Sequence, residues 1–94
     1  MIYRFDQFEL DTEKVELRDN GAAVAVEPQV FALLHFLIEN RDRVVREDEI
    51  VAQVWDGRIV SDSAVSSRIK SARQAIGDDG SAQRFIRTAH RVGF

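Results

Sequence analysis

The stretch "PQVFALLHFLIEN" (Pro28 to Asn40) constrains the fold of this chain more than any other. Proline suits the first position of a helix, where its missing N–H has no partner to lose. Behind it Phe31, Leu34 and Ile38, with Val30, Leu33 and Leu37, recur at helical spacing and make a wide apolar face. Such a face predicts a central, largely buried helix over about 28–40. The run "VFALLHFLI" is too short to cross a bilayer and carries His35, read as a structural histidine.

The residues before this helix read as short strands. "IYRF", "FEL", "KVELR" and "AAVAV" are separated by polar or glycine-containing breaks over residues 1–26. In "KVELR" the alternation sets Val15 and Leu17 on one side and Lys14, Glu16 and Arg18 on the other. Asn20-Gly21 is a hairpin-turn signal, because both residues tolerate positive φ. A small antiparallel sheet is expected. After the central helix, "RVV" is a short extended link, and "REDEIVAQVW" predicts a second helix over about 46–55. Glu47, Asp48 and Glu49 in its first turn favour the helix dipole, and Gly57 suits its stop.

Ser61 is a good N-cap for a third helix over about 61–76, with Asp62 in the first turn and Gly77 at the end. Val65, Ile69, Ala72 and Ile76 fall in one stripe about 60° wide at 100° per residue. Ser63, Ser67, Lys70, Ser71 and Gln74 cluster opposite, with Arg68 along one margin and Ser66 and Arg73 along the other. A helix held by one narrow stripe leaves most of its circumference exposed. Small side chains let such a helix sink into a groove, while long cations at its margins reach phosphates. Serine donates to or accepts from any base edge and therefore specifies weakly. The same pattern also describes an ordinary amphipathic surface helix. "RFIRTA" then reads as a strand and "HRVGF" as a turn into another, a hairpin over 84–94 bearing Arg87, His90 and Arg91.

Charge supports the same division. The net charge of −3 argues against nucleic acid on its own. Residues 1–60, however, hold seven Lys/Arg and thirteen Asp/Glu, whereas residues 61–94 hold six and three. The C-terminal third is thus a local cationic surface on a weakly acidic chain. With no cysteine and only His35 and His90, no metal site is expected, and no cofactor. Ser61, His90 and Asp79 assemble a hydrolase triad only on paper, without a nucleophile elbow or an oxyanion donor set. Catalytic residues are therefore not expected, nor a small-molecule substrate. The start "MIYRFDQFEL" lacks the basic and apolar regions of a signal peptide, which fits a cytoplasmic domain.

A small sheet, three helices and a C-terminal hairpin make an α+β winged helix-turn-helix. The segments "FDQFELD", "VEPQVFALLHFLIENRDRVVREDEIVAQVWDG", "VSDSAVSSRIKSARQAIGDDG" and "FIRTAHRVGF" resemble, in order and over nearly the whole chain, the OmpR/PhoB-type DNA-binding domain of bacterial transcription regulators. The N-terminal four-stranded antiparallel sheet is a mark of that family among winged helices. Within it the chain is similar to CadC-like regulators lacking a receiver domain. It is read as one domain, 1–94, excised from a longer regulator that a region absent here anchors to a membrane in some relatives.

The resemblance implies double-stranded DNA as partner, with the third helix in the major groove and the hairpin wing in the minor groove. By position, Ser66, Ser67, Ser71 and Arg68 match base-reading residues. Ser63, Lys70, Arg73, Trp55, Thr88 and Arg87 match contacts to the DNA backbone. His90 or Arg91 matches the wing-tip cation in the minor groove, although "HRVG" departs from the usual tip. Ser71 stands where a relative carries a base-reading arginine, so sequence preference does not transfer. Arg46 replaces the usual Ser/Thr helix cap. Arg58, between the second and third helices, matches a loop that touches RNA polymerase in activating relatives. Dimeric or tandem binding on repeated half-sites is expected. The alternative is a winged helix that contacts RNA polymerase or itself with little DNA affinity, favoured if Asp62, Asp78 and Asp79 neutralise the cationic face.

Overall fold

Four short strands open the chain: β1 (Ile2–Phe5), β2 (Phe8–Asp11), β3 (Glu16–Asp19) and β4 (Ala22–Val24). They form one antiparallel sheet in the order β1-β2-β3-β4. This computed structural model describes residues 1–56, 58, 60–89 and 92–94. The β3–β4 turn is the predicted two-residue loop, pairing Asp19 with Ala22 across Asn20 (φ 50°) and Gly21 (φ 83°). Two consecutive positive φ angles match the twist of the flanking strands, which is why Asn-Gly stands there.

The two faces of the sheet divide by alternation. Tyr3, Leu10, Leu17 and Val24 lie in register on the core side, with Leu10 and Leu17 fully buried. On the other side Glu9 lies between Arg4 and Arg18, receiving their Nε groups at 2.9 and 3.3 Å. Arg18 also meets Glu16 at 2.8 Å and Asp11 at 3.4 Å. These cations hold Glu9 below the usual carboxylate range, first through Arg4 and then through Arg18. The expected partnership of Val15 with Leu17 is corrected. Val15 lies in the β2–β3 turn with φ 52° and an exposed side chain, because the Asp11 carboxylate accepts the N–H groups of Glu13 and Lys14 and delays the strand until Glu16.

Three helices follow: α1 (Pro28–Glu39), α2 (Glu47–Val54) and α3 (Asp62–Ala75). Pro28 occupies the first turn of α1, whose Val30, Phe31, Leu33 and Leu34 are buried. At its end the Asn40 side chain donates to the Phe36 carbonyl. The residue capping α2 is Glu49, whose carboxylate accepts the Arg46 N–H at 2.8 Å and is itself clamped by Arg43. The Arg46 side chain is exposed against Asp48. Gly57, expected to stop α2, lies outside the described residues; the helix ends at Val54 with Trp55 as its C-cap. Among the described residues no helix is long and apolar enough to cross a membrane.

In α3 the stripe predicted from spacing is the one that packs: Val65, Ile69 and Ala72 are buried, as is Ile76 just beyond. Each of the three large members contributes roughly 1.5–3 kcal/mol, enough to seat a helix by one edge. The Ser61 hydroxyl accepts the Ala64 N–H at 3.3 Å, capping α3 as expected. The other end closes on Gly77 in the left-handed region (φ 66°). Gly77 N–H reaches the Gln74 carbonyl and Asp78 N–H reaches that of Arg73, a Schellman closure.

The C-terminal hairpin departs from expectation. Among the described residues Arg84–Thr88 pairs with no strand, and the ladder is one bridge between Ala89 and Gly93. Gly93 and Phe94 pair instead with the link before α2, where Val45 and Phe94 exchange both backbone hydrogen bonds, at 2.6 and 2.8 Å. A Cβ on Gly93 would run into the Val45 carbonyl. Gly93→Ala should therefore cost about 1–3 kcal/mol by overpacking. Gly21→Ala, strained only by its φ with open space around it, should cost about 1 kcal/mol. Thermal unfolding of both variants checks the ranking.

Candidate functional site

The cationic third of the chain is built on α3. Ser63, Ser66, Ser67, Lys70 and Gln74 are exposed, and their i, i+3, i+4, i+7 spacing makes one continuous face. Ser71, expected among the base readers, is half-buried at its margin. The Ser63 hydroxyl lies 3.0 Å from that of Ser61. Arg68 is half-buried and gives its Nε–H to the Gln29 side chain of α1 at 3.0 Å, which fixes the stem against the helix bundle.

Arg73 is not turned outward as expected. Its Nε and Nη2 both donate to the Ile86 carbonyl, at 3.1 and 3.0 Å, and Nη2 also donates to the Thr88 hydroxyl at 2.8 Å. Two residues expected separately on the DNA backbone, Arg73 and Thr88, are thus bonded to each other. Arg87 is exposed beside them, and Trp55 is half-buried against the core. Arg58 is exposed on the α2–α3 connection, its N–H on the Trp55 carbonyl. His90 and Arg91 lie outside the described residues. Among the described residues Arg68, Lys70, Arg73 and Arg87 make no ion pair, whereas Arg4, Arg18, Arg43, Arg46 and Arg84 all do.

The three acids of this region are engaged. Asp78, 6% exposed, accepts four backbone N–H groups, from Asp79, Arg84, Phe85 and Ile86, at 2.7–3.0 Å. Burial alone would push its carboxyl up; the four donors outweigh burial and hold it at about 2. Asp79 accepts the N–H groups of Ser81 and Ala82 and borders Lys70 in a hollow at the C-terminal end of α3. Asp62 stands beside Glu47, whose carboxyl is pushed up by burial and then by this acidic neighbour. Accepting hydrogen bonds does not remove a carboxylate's charge, but among the described residues none of these three acids forms an ion pair with Arg68, Lys70, Arg73 or Arg87. Gln29 and Gln83 were not singled out from sequence, and Asp78 only as a charge that neutralises the cationic face, not as an anchor. The one available signal was an aspartate directly after a helix-ending glycine in "GDDG".

Comparison with known proteins places these features. The family described as "Transcriptional regulatory protein, C terminal" matches residues 21–94. The transcriptional regulatory protein YvrH of Bacillus subtilis is 30% identical over 93 residues, covering 98% of this chain and 39% of YvrH. The transcriptional activator CadC of Escherichia coli is 28% identical over 80 residues, covering 84% of this chain and 16% of CadC. The chain thus spans two fifths or less of these relatives. Among solved structures, the Klebsiella pneumoniae RstA DNA-binding domain in complex with the RstA box superposes with a TM-score of 0.86 at 19% identity, covering 98% of this chain and 92% of that one. That likeness establishes the winged-helix fold with its four-stranded N-terminal sheet.

The Asp78 carboxyl sits below its ordinary value of 3.8 in the folded chain. Its contribution is therefore complete above about pH 4 and is lost as pH falls towards 2, about 2 kcal/mol in all. Urea unfolding at pH 5 and pH 2 should show wild type losing that much more than Asp78→Asn across the interval.

Proposed function

The chain belongs to the family of transcriptional regulatory protein C-terminal domains, and from that premise we propose that it binds double-stranded DNA sequence-specifically as the output module of a bacterial transcription regulator. The observation that carries this reading is the exposed face of α3, where small serines surround Lys70, with Arg68 and Arg73 at its margins and the C-terminal hairpin beside it. A helix of this profile fits the major groove, and a cationic hairpin next to it fits the adjacent minor groove. The RstA domain, of the same fold, is seen in complex with its DNA box.

In this reading Ser66, Ser67, Ser71 and Arg68 face base edges. Lys70, Ser63, Arg87, Thr88 and the Trp55 indole meet the sugar-phosphate backbone, and His90 or Arg91 enters the minor groove. Arg68, tied at its stem to Gln29, reaches a base only from the groove margin. Phosphate contacts supply much of the affinity and make it fall with salt. One module of 94 residues buries limited surface, so binding as a dimer or tandem pair on repeated half-sites follows. Exposed Arg58 is the proposed point of contact with RNA polymerase.

The test is fluorescence titration at two salt concentrations, on duplexes enriched from a random pool by the chain itself. Absence of salt-sensitive binding to any duplex would contradict the reading. Lys70→Ala should weaken binding to all sequences alike and lower the salt slope by about 1. Ser71→Ala should change base preference more than overall affinity. Equal, sequence-blind losses from the two would overturn these roles.

A further inference from the structure

The segment Arg84–Thr88 connects α3 to the hairpin bridge, yet no strand ladder holds it. Four of its backbone N–H groups and the Ile86 carbonyl bond to side chains instead. Asp78 takes the N–H groups of Arg84, Phe85 and Ile86. Gln83 takes that of Thr88 at 2.9 Å and anchors its own amide on the Gly80 carbonyl. Arg73 donates to the Ile86 carbonyl from Nε and Nη2 and to the Thr88 hydroxyl from Nη2. The Phe85 ring packs edge-on against Phe5 and Phe8, tying the same segment to the sheet. Among the described residues, the side-chain bonds that tie the entry of the hairpin to the end of α3 converge on Arg73 and on Asp78, which sits one residue past the glycine that ends the helix.

We propose that Arg73 and Asp78 are positioning residues: they fix the hairpin against α3, so that Arg73 serves DNA recognition by holding the two halves of the interface in register and not by meeting a phosphate. The guanidinium is suited to this because its planar fork meets one carbonyl with two parallel donors while a third bond reaches the hydroxyl. The Nε–H and Nη2 donors that would grip a phosphate bidentately are already committed to Ile86 and Thr88. A lysine at this position keeps the charge but has no fork. The proposal separates charge from geometry, and it rests on the function proposed above only for its DNA readout.

Two measurements on the full chain test it. In the free protein, Arg73→Lys should speed amide exchange at Ile86 and Thr88 at least tenfold while leaving Ile69 and Ala72 within α3 unchanged. Asp78→Asn, which puts an amide donor among four N–H groups, should do the same or more. On a duplex enriched from a random pool by the wild type, Arg73→Lys and Arg73→Ala should lose affinity equally, by tenfold or more. Both should lose minor-groove protection in a hydroxyl-radical footprint, while protection of guanine N7 from methylation in the major groove opposite α3 persists. A phosphate-contact role predicts otherwise: Arg73→Lys would bind like wild type with its footprint intact. That result, or unchanged exchange at Ile86 and Thr88, would overturn the proposal. If the wild type binds no duplex, the functional reading fails, and the exchange rates still decide whether the splint exists.

Discussion

The Asp78 carboxylate is nearly sealed from water, and four backbone N–H groups point at it. A buried charge is costly unless it is saturated with donors, and this one is saturated by the residues that lead from the last helix into the hairpin. The geometry begins one residue earlier. Gly77 adopts the left-handed conformation, the Schellman closure turns the chain back over the end of α3, and Asp78 is delivered into the gap. Without that carboxylate the backbone N–H groups of Arg84 to Ile86 would lose their acceptor and the entry to the hairpin its anchor.

The remaining parts of the molecule stand around this junction. The central helix α1 supplies the apolar wall on which α3 lies along one narrow stripe. The sheet closes the other side, its outer face laced by Arg4, Glu9, Arg18, Asp11 and Glu16. The end of the chain pairs with Val45 before α2, so the hairpin is stitched at both ends: by Asp78 and Arg73 on entry, by Val45 on exit. The serine and lysine face of α3 is left outward because nothing in the core asks for it. Function here is what remains after packing has taken the stripe it needs.

Much of this was legible in the residues. Helical spacing located Val65, Ile69 and Ala72 as the buried edge of α3, and Asn20-Gly21 located a two-residue hairpin, because both signals act over a few neighbouring positions. Family motifs gave the winged-helix reading, which local pattern alone would have left as a solvated helix beside a hairpin. What escaped were the long-range choices. "RFIRTA" alternates well enough to suggest a strand, but its partners are the side chains of Asp78, Gln83 and Arg73, brought near only by the fold. Val15 looked like a strand residue until the Asp11 side chain claimed the turn. The orientation of Arg73 could not be inferred from its margin position, since its acceptors lie 13 and 15 residues away.

The most direct test of the account is the amide chemical-shift map of the chain titrated with a duplex that it has itself enriched. The account predicts shifts along the exposed face from Ser63 to Gln74 and through Arg87 to Val92, with the outer face of the sheet, from Arg4 to Arg18, unmoved. Shifts centred on that sheet face with α3 silent would contradict it.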